Sequence, residues 1–248
     1  NDSLTSISEL GNIQSFGTEL LIHHNPSLIS LSGLENLHHL TGELSIAGND
    51  SLTSLLGLDN LQSIGGDFIL HQNSTLTSLS GLENLQEISG DFNLTENSLL
   101  TSFSGLDSLQ HIGGGFHLID NSFISFSGLE NLQSIGENLW VESNDFLTSF
   151  SALANLQTIG GGMQIELNDA LTHLSGFENL QTIPLGLFIR RNHSLISVED
   201  FGALTQVGMD FKIYSNNNLC NSSAEALVYQ IENAEGVGGD IEISNENC

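Results

Sequence analysis

Nine residues between positions 140 and 214 combine rings, amides, carboxylates and cations: Trp140, Glu142, Gln164, Glu166, Phe188, Arg190, Arg191, Lys212 and Tyr214. They include the only Trp, one of two Tyr, and every Lys and Arg of the chain. Exposed aromatic and Arg side chains are over-represented in binding sites. Rings that stack on sugar faces, with polar tips that bond hydroxyls, suit a glycan, and the same set suits a hot spot for a surface protein. A cationic corner also suits an acidic partner, or an end-to-end contact between copies. Glu142 and Glu166 have the residue types of a retaining glycosidase pair. A flat face has no pocket to shift one carboxyl away from the other, and no GxSxG, HExxH or P-loop pattern occurs, so no catalytic residue is expected.

Other sets have simpler explanations. One acidic column runs through Glu35, Asp59, Glu83, Asp107 and Glu130, and a second through Glu19, Glu43, Asp67 and Asp91. Carboxylates about 4.8 Å apart repel by about 0.9 kcal/mol in water. Weak Ca²⁺ binding would relieve that repulsion, though solvated charge explains the columns equally, and no cofactor or EF-hand motif is present. His23 and His71 share a column but lie two coils apart, too far for one metal without other ligands. Thr53, Thr77, Thr101, Thr148 and Thr172 form an outward Thr column of the kind some ice-binding proteins carry. Ile29, Ile124 and Ile196 interrupt it, and Thr is in any case a good strand residue.

What positions these side chains is a repeat. Asn recurs at 1, 25, 49, 73, 97, 121, 144, 168, 192 and 216, at intervals of 24 with one of 23. The unit reads as in residues 73–96, NSTLTSLSGLENLQEISGDFNLTE. Apolar residues follow period 3, then period 2 before the next Asn, and no long stretch keeps a period of 3.6. One such unit cannot bury its apolar face, but stacked units can. The expectation is an all-β solenoid, a right-handed β-helix of about ten coils. At about 4.8 Å per coil the rod is about 48 Å long. The Asn column, and a second one at Asn36, Asn60, Asn84, Asn131, Asn155 and Asn179, are expected to bond the turns of neighbouring coils.

Columns that stay constant from coil to coil serve the fold, and columns that vary are free for recognition. Five and three residues before each Asn the side chain is always apolar. Four and two before, it varies, and these outward columns hold Trp140, Glu142, Gln164, Glu166, Phe188, Arg190, Lys212 and Tyr214, with Arg191 one residue on.

Units such as LTSLSGLENLQEISGDFNL followed by Asn resemble the receptor L-domain variety of leucine-rich repeat, over about residues 1–217. The resemblance implies a secreted or cell-surface protein that binds ligand or mediates adhesion, with no catalytic residues to carry over. The chain is more regular than receptor L domains and lacks their internal disulfides. A spacer without a discrete site, an ice-binding protein and, last, a solenoid glycosidase are the competing readings.

Beyond the repeat, residues 218–248 are expected to form a cap. Ser222-Ser223-Ala224-Glu225 has the form of a capping box opening a helix over about 223–233, and residues 239–243 repeat the strand pattern. No comparable cap precedes the first coil, which begins at Asn1 and reads as excised or processed. Cys220 and Cys248 bracket this segment and read as a disulfide, which implies an oxidising compartment. Sequons at Asn49, Asn73 and Asn192 agree with secretion. A chain with 3 Lys and Arg against 30 Asp and Glu, formal net charge −27, is no nucleic-acid binder, because phosphate neutralisation needs cations. No run of 18 apolar residues exists, so no membrane insertion is expected.

Overall fold

In the computed structural model, which describes residues 1–245, the chain is a parallel β-solenoid of leucine-rich-repeat-like coils. Ten four-residue strands, from Leu20–His23 to Ile241–Ser244, form one parallel sheet. Its register follows the repeat: Leu44 pairs with Phe68, Phe68 with Phe92, and Leu139 with Met163. Every coil after the first also contributes a two-residue strand to a second line, which is split into a six-stranded and a three-stranded sheet. The split has a local cause. In the other coils a backbone N–H just after this strand donates to the coil before, as Gly160 does to Ile135 and Gly208 to Ile183. Position 184 is Pro, which has no N–H to give.

The coil count falls short of ten. Eight repeat coils carry both strands. The first contributes only Leu20–His23, and the tenth strand of the long sheet comes from the segment after the last repeat. In the first coil the carbonyls of Phe16 and Gly17 accept from the Thr41 hydroxyl instead of from a strand partner.

The two inward columns of the long sheet are buried from Leu20 to Ile213, as are the period-3 apolar residues from Leu28 on; the first coil and the last strand, with Ile241 exposed, are the open ends. Phe rings stack from coil to coil: Phe68 on Phe92 at 5.0 Å and Phe92 on Phe116 at 5.1 Å. The coil that begins at Asn121 has lost one residue, and there Phe123 fills the inward place. It is fully buried and stacks on Phe103 at 4.2 Å.

The Asn column is a continuous hydrogen-bond ladder. Asn144 Nδ2 donates to the carbonyls of Glu142 and Leu118, and Asn144 Oδ1 accepts from the Asn121 N–H. The pattern repeats up the rod as far as Asn245, whose N–H and Nδ2 donate to Asn221 Oδ1 at the end of the ladder. Asn49, Asn73 and Asn192 are fully buried rungs. Their amides are already bonded to carbonyls, so the sequons at these positions are not acceptor sites in the folded chain. Members of the second Asn column each donate to a carbonyl of the preceding coil at 2.7 Å.

The acidic columns are also structural, which neither repulsion nor solvation anticipates. Gly33, Gly57, Gly81, Gly105, Gly128 and Gly176 all have φ between +102° and +120°. A Cβ on Gly81 would lie 2.2 Å from the Leu55 carbonyl oxygen. The amide of each of these glycines donates to the carboxylate two residues on: Glu35, Asp59, Glu83, Asp107, Glu130 and Glu178. In the coils with Glu9, Ala152 and Asp200 at the Gly position, the residue two further on is Gly11, Ala154 or Gly202. Two of these three coils turn through short 3-10 helices, Ser8–Leu10 and Ser151–Leu153, instead. In the second column, Asp67 and Asp91 accept from backbone amides of the following coil.

After the last repeat comes a helix, Asn221–Glu232, with Ala224, Leu227 and Ile231 buried. Its N-cap is Cys220 with no side-chain cap bond, so the Ser222–Glu225 capping box is not made. The helix starts two residues earlier than that box implies, and Asn221 at its start is held as the terminus of the Asn ladder. The Cys220–Cys248 pairing lies outside the described residues, as Cys248 does. No helix is long and apolar enough to cross a membrane among the described residues.

Candidate functional site

The outward columns of the long sheet become four neighbouring rows in its C-terminal half. Trp140 pairs with Gln164, Gln164 with Phe188, and Phe188 with Lys212; beside them run Glu142, Glu166, Arg190 and Tyr214. All nine sequence-selected residues therefore lie on one patch, and their bonding divides it in two.

Glu166 is the hub of the first part. It is only 3% exposed although it sits on an outward column. Its Oε2 accepts from Arg190 Nε at 2.6 Å and from Gln164 Nε2 at 3.2 Å, and its Oε1 accepts from Arg191 Nη1 at 2.9 Å. Arg190 Nη1 donates to the Tyr214 hydroxyl at 2.9 Å. That bond, and the Glu166 carboxylate against it, push the Arg190 guanidinium above its ordinary value despite partial burial. Arg191 reaches the same carboxylate because its backbone is left-handed, φ +56°, like the residue before the Asn in most coils. A side chain in that conformation costs about 1–2 kcal/mol. It recurs here because the Asn ladder fixes the turn that follows.

The remaining cation is also engaged: Lys212 Nζ lies 2.9 Å from Asp210 Oδ2. Lys212 lowers the Asp210 carboxyl below the usual range, with help from the Asp240 amide, and Asp210 raises Lys212 in return. The three cations thus meet carboxylates of their own chain, and no free cationic corner awaits an acidic partner. The glycosidase pair fares no better. Glu142 and Glu166 are register partners, but two guanidiniums hold both oxygens of Glu166. Glu142 Oε2 accepts from the Trp140 indole N–H at 2.8 Å.

The second part is an open cleft of about 630 Å³ beside Trp140 and Phe188, which sequence reasoning missed. Gly162 and Gly186 line it, in a column where other coils place Asp67, Asp91, Asn138 or Asp210 and one other, at Gly115, also has glycine. Its far wall is Leu185 and Met209, 40% and 54% exposed, in the column where other coils have Gly66, Gly90, Gly114 or Gly161. This exchange of Gly for bulk and of Asp for Gly in neighbouring columns is the signal that marks the cleft in the sequence. Trp140 is 36% exposed and meets His117 edge to face at 6.1 Å.

In the segment that follows the Asn column, the hydroxyls of Thr77 and Thr148 donate to carbonyls of the preceding coil.

No protein-family model matches the sequence, and no curated protein matches it. Among solved structures, a crystal structure of an internalin from Listeria monocytogenes is similar to this chain at 16% sequence identity. The match covers 97% of this chain and 88% of that one with a TM-score of 0.38, too low to bear on fold or function.

Proposed function

We propose that the chain is a non-catalytic binding or adhesion module of the receptor L-domain type, secreted or displayed at a cell surface. It recognises a glycan or a surface protein through the outward face of the ten-stranded sheet between Trp140 and Tyr214. One observation carries the reading. In a rod built from near-identical coils, the only Trp, the ion-paired arginines and the cleft are neighbours on one face. Pockets that take ligands are mostly apolar with a few placed polar groups, and this one has that make-up. A spacer needs none of these departures from its repeat. The internal clamp on Glu166 supports a role for Arg190 and Tyr214 as rigid, preordered contacts rather than as reactive groups. The cysteines at 220 and 248 favour an oxidising compartment.

The test is a glycan array together with a panel of purified surface-protein ectodomains, probed with the wild-type chain, Trp140→Ala and Arg190→Ala. Binding lost in both variants, with unchanged circular dichroism, is expected. A folded wild-type chain that binds nothing on either panel rejects the proposal.

A further inference from the structure

Resting on that reading of the face, we propose that the cleft beside Trp140 takes a linear, uncharged glycan chain lying parallel to the rod axis. Four properties of the cleft select this occupant.

The first is length. The lining runs from His117, through Asn138 and Trp140, to Gly238 and Gly239, across six successive coils. With neighbouring strands about 4.8 Å apart, that is a trough about 24 Å long. It is open along its length, which suits a polymer better than a compact ligand.

The second is the placement of the rings. Trp140 and Phe188 occupy the same column two coils apart, with Gln164 between them. Their separation of about 10 Å spans two units of an extended sugar chain. Alternate sugars of a β-linked chain turn the same face to one side, so each ring meets an equivalent face.

The third is hydrogen bonding. Asn138 uses its Oδ1 on the Gly162 amide, and Gln164 uses its Nε2 on Glu166. That leaves the Asn138 NH₂ as donor and the Gln164 oxygen as acceptor at the cleft. A sugar hydroxyl both gives and takes a bond and meets either group.

The fourth is charge. Asp210 is the one Asp, Glu, Lys or Arg that lines the cleft among the described residues, and Lys212 pairs with it; His117 lies at the other end. A polyanionic glycan would meet a chain of formal net charge −27 with no unpaired cation to greet it. A basic protein would be attracted along the whole acidic rod and gains nothing particular here.

The experiment is isothermal titration calorimetry with cellohexaose, xylohexaose and mannohexaose as neutral chains, and polygalacturonate and heparin as anionic ones. At least one neutral hexasaccharide is expected to bind, and its disaccharide at least tenfold more weakly, because it reaches only one ring. Trp140→Ala and Phe188→Ala should each weaken binding at least tenfold. Met209→Ser, a wall variant that leaves the core untouched, should weaken it several-fold. Leu56→Ser, at an exposed position in an early coil remote from the cleft, should stay within twofold. Circular dichroism confirms that each variant is folded.

The proposal is overturned if the wild-type chain binds no neutral oligosaccharide, prefers an anionic one, or binds one unaffected by Trp140→Ala and Phe188→Ala. The ectodomain panel separates the two levels. A protein partner lost in Arg190→Ala, with no oligosaccharide bound, removes the glycan and keeps the face. Silence on both panels removes both.

Discussion

Two hydrogen-bond networks cross the coils of this solenoid, and they differ in kind. The Asn ladder repeats the same bonds in every coil, buried and fixed to backbone carbonyls. The Glu166 network occurs once, joins side chains, and sits at the surface. A repeated bond is a condition of stacking, because each coil offers the next the same unsatisfied groups. A bond made once must answer to something other than stacking. The contrast separates residues that hold the rod from residues that the rod displays, and substitutions on either side can break it.

The largest effect is expected in the middle of the ladder. Asn144→Ala removes the donor to the buried Leu118 and Glu142 carbonyls and the acceptor for the Asn121 amide. Buried polar groups left unpaired cost about 1–3 kcal/mol each. We expect a loss of about 3 kcal/mol or more in urea unfolding. Asn25→Ala, near the end of the stack, where the side-chain amide bonds the His23 carbonyl and no carbonyl of a preceding strand, should cost clearly less. Equal losses at both would mean that the ladder is not cooperative along the rod.

A smaller loss is expected from Glu166→Ala. It strands two guanidiniums, but their side chains are 30% and 55% exposed and recover water. A cost of about 1–2 kcal/mol follows, between that of a surface pair and that of a buried one. Binding should fall further than stability does, since Arg190 loses its anchor. A stability loss equal to that of Asn144→Ala would place Glu166 with the scaffold.

Smaller again is Glu83→Ala, which removes the acceptor for the Gly81 amide at 2.9 Å. A part-buried bond of this kind is worth about 1 kcal/mol, and removing one charge from a chain of net −27 offsets part of it. Thermal unfolding should show a shift of at most a few degrees.

Much of this was legible in the sequence, and the reasons are physical. A 24-residue register fixes which side chains meet in neighbouring coils, so the buried columns, the Asn ladder and the nine-residue patch follow from position alone. The pairing of an acid with a left-handed Gly two residues earlier was legible too, because both are lost together at Glu9, Ala152 and Asp200. Register says nothing of side chains that curl back. Arg191 follows the strand in a left-handed conformation, so no column shows that it reaches Glu166. Nor does a column of outward residues reveal a cleft made by missing side chains at Gly162 and Gly186. End effects escape it as well: the first coil has a partner on one side only, and its Ser15–Phe16 segment forms no strand.

The least effect, and the finest test of the contrast, lies at Lys212 and Asp210. Asp210 titrates below the usual carboxylate range because Lys212 and the Asp240 amide favour its charged form. A carboxyl depressed in the folded state stabilises the fold above its unfolded value, and that contribution is lost as pH falls through the folded one. Lys212→Met should therefore raise the Asp210 value towards the usual range, seen in the carboxyl carbon shift during an NMR titration. Unfolding at neutral pH should hardly change, since exposed pairs contribute little. The Asp240 amide still donates to Asp210 in that variant, so some depression should remain. If Asp210 does not move, the backbone bond alone sets its value, and Lys212 is free to meet a ligand after all.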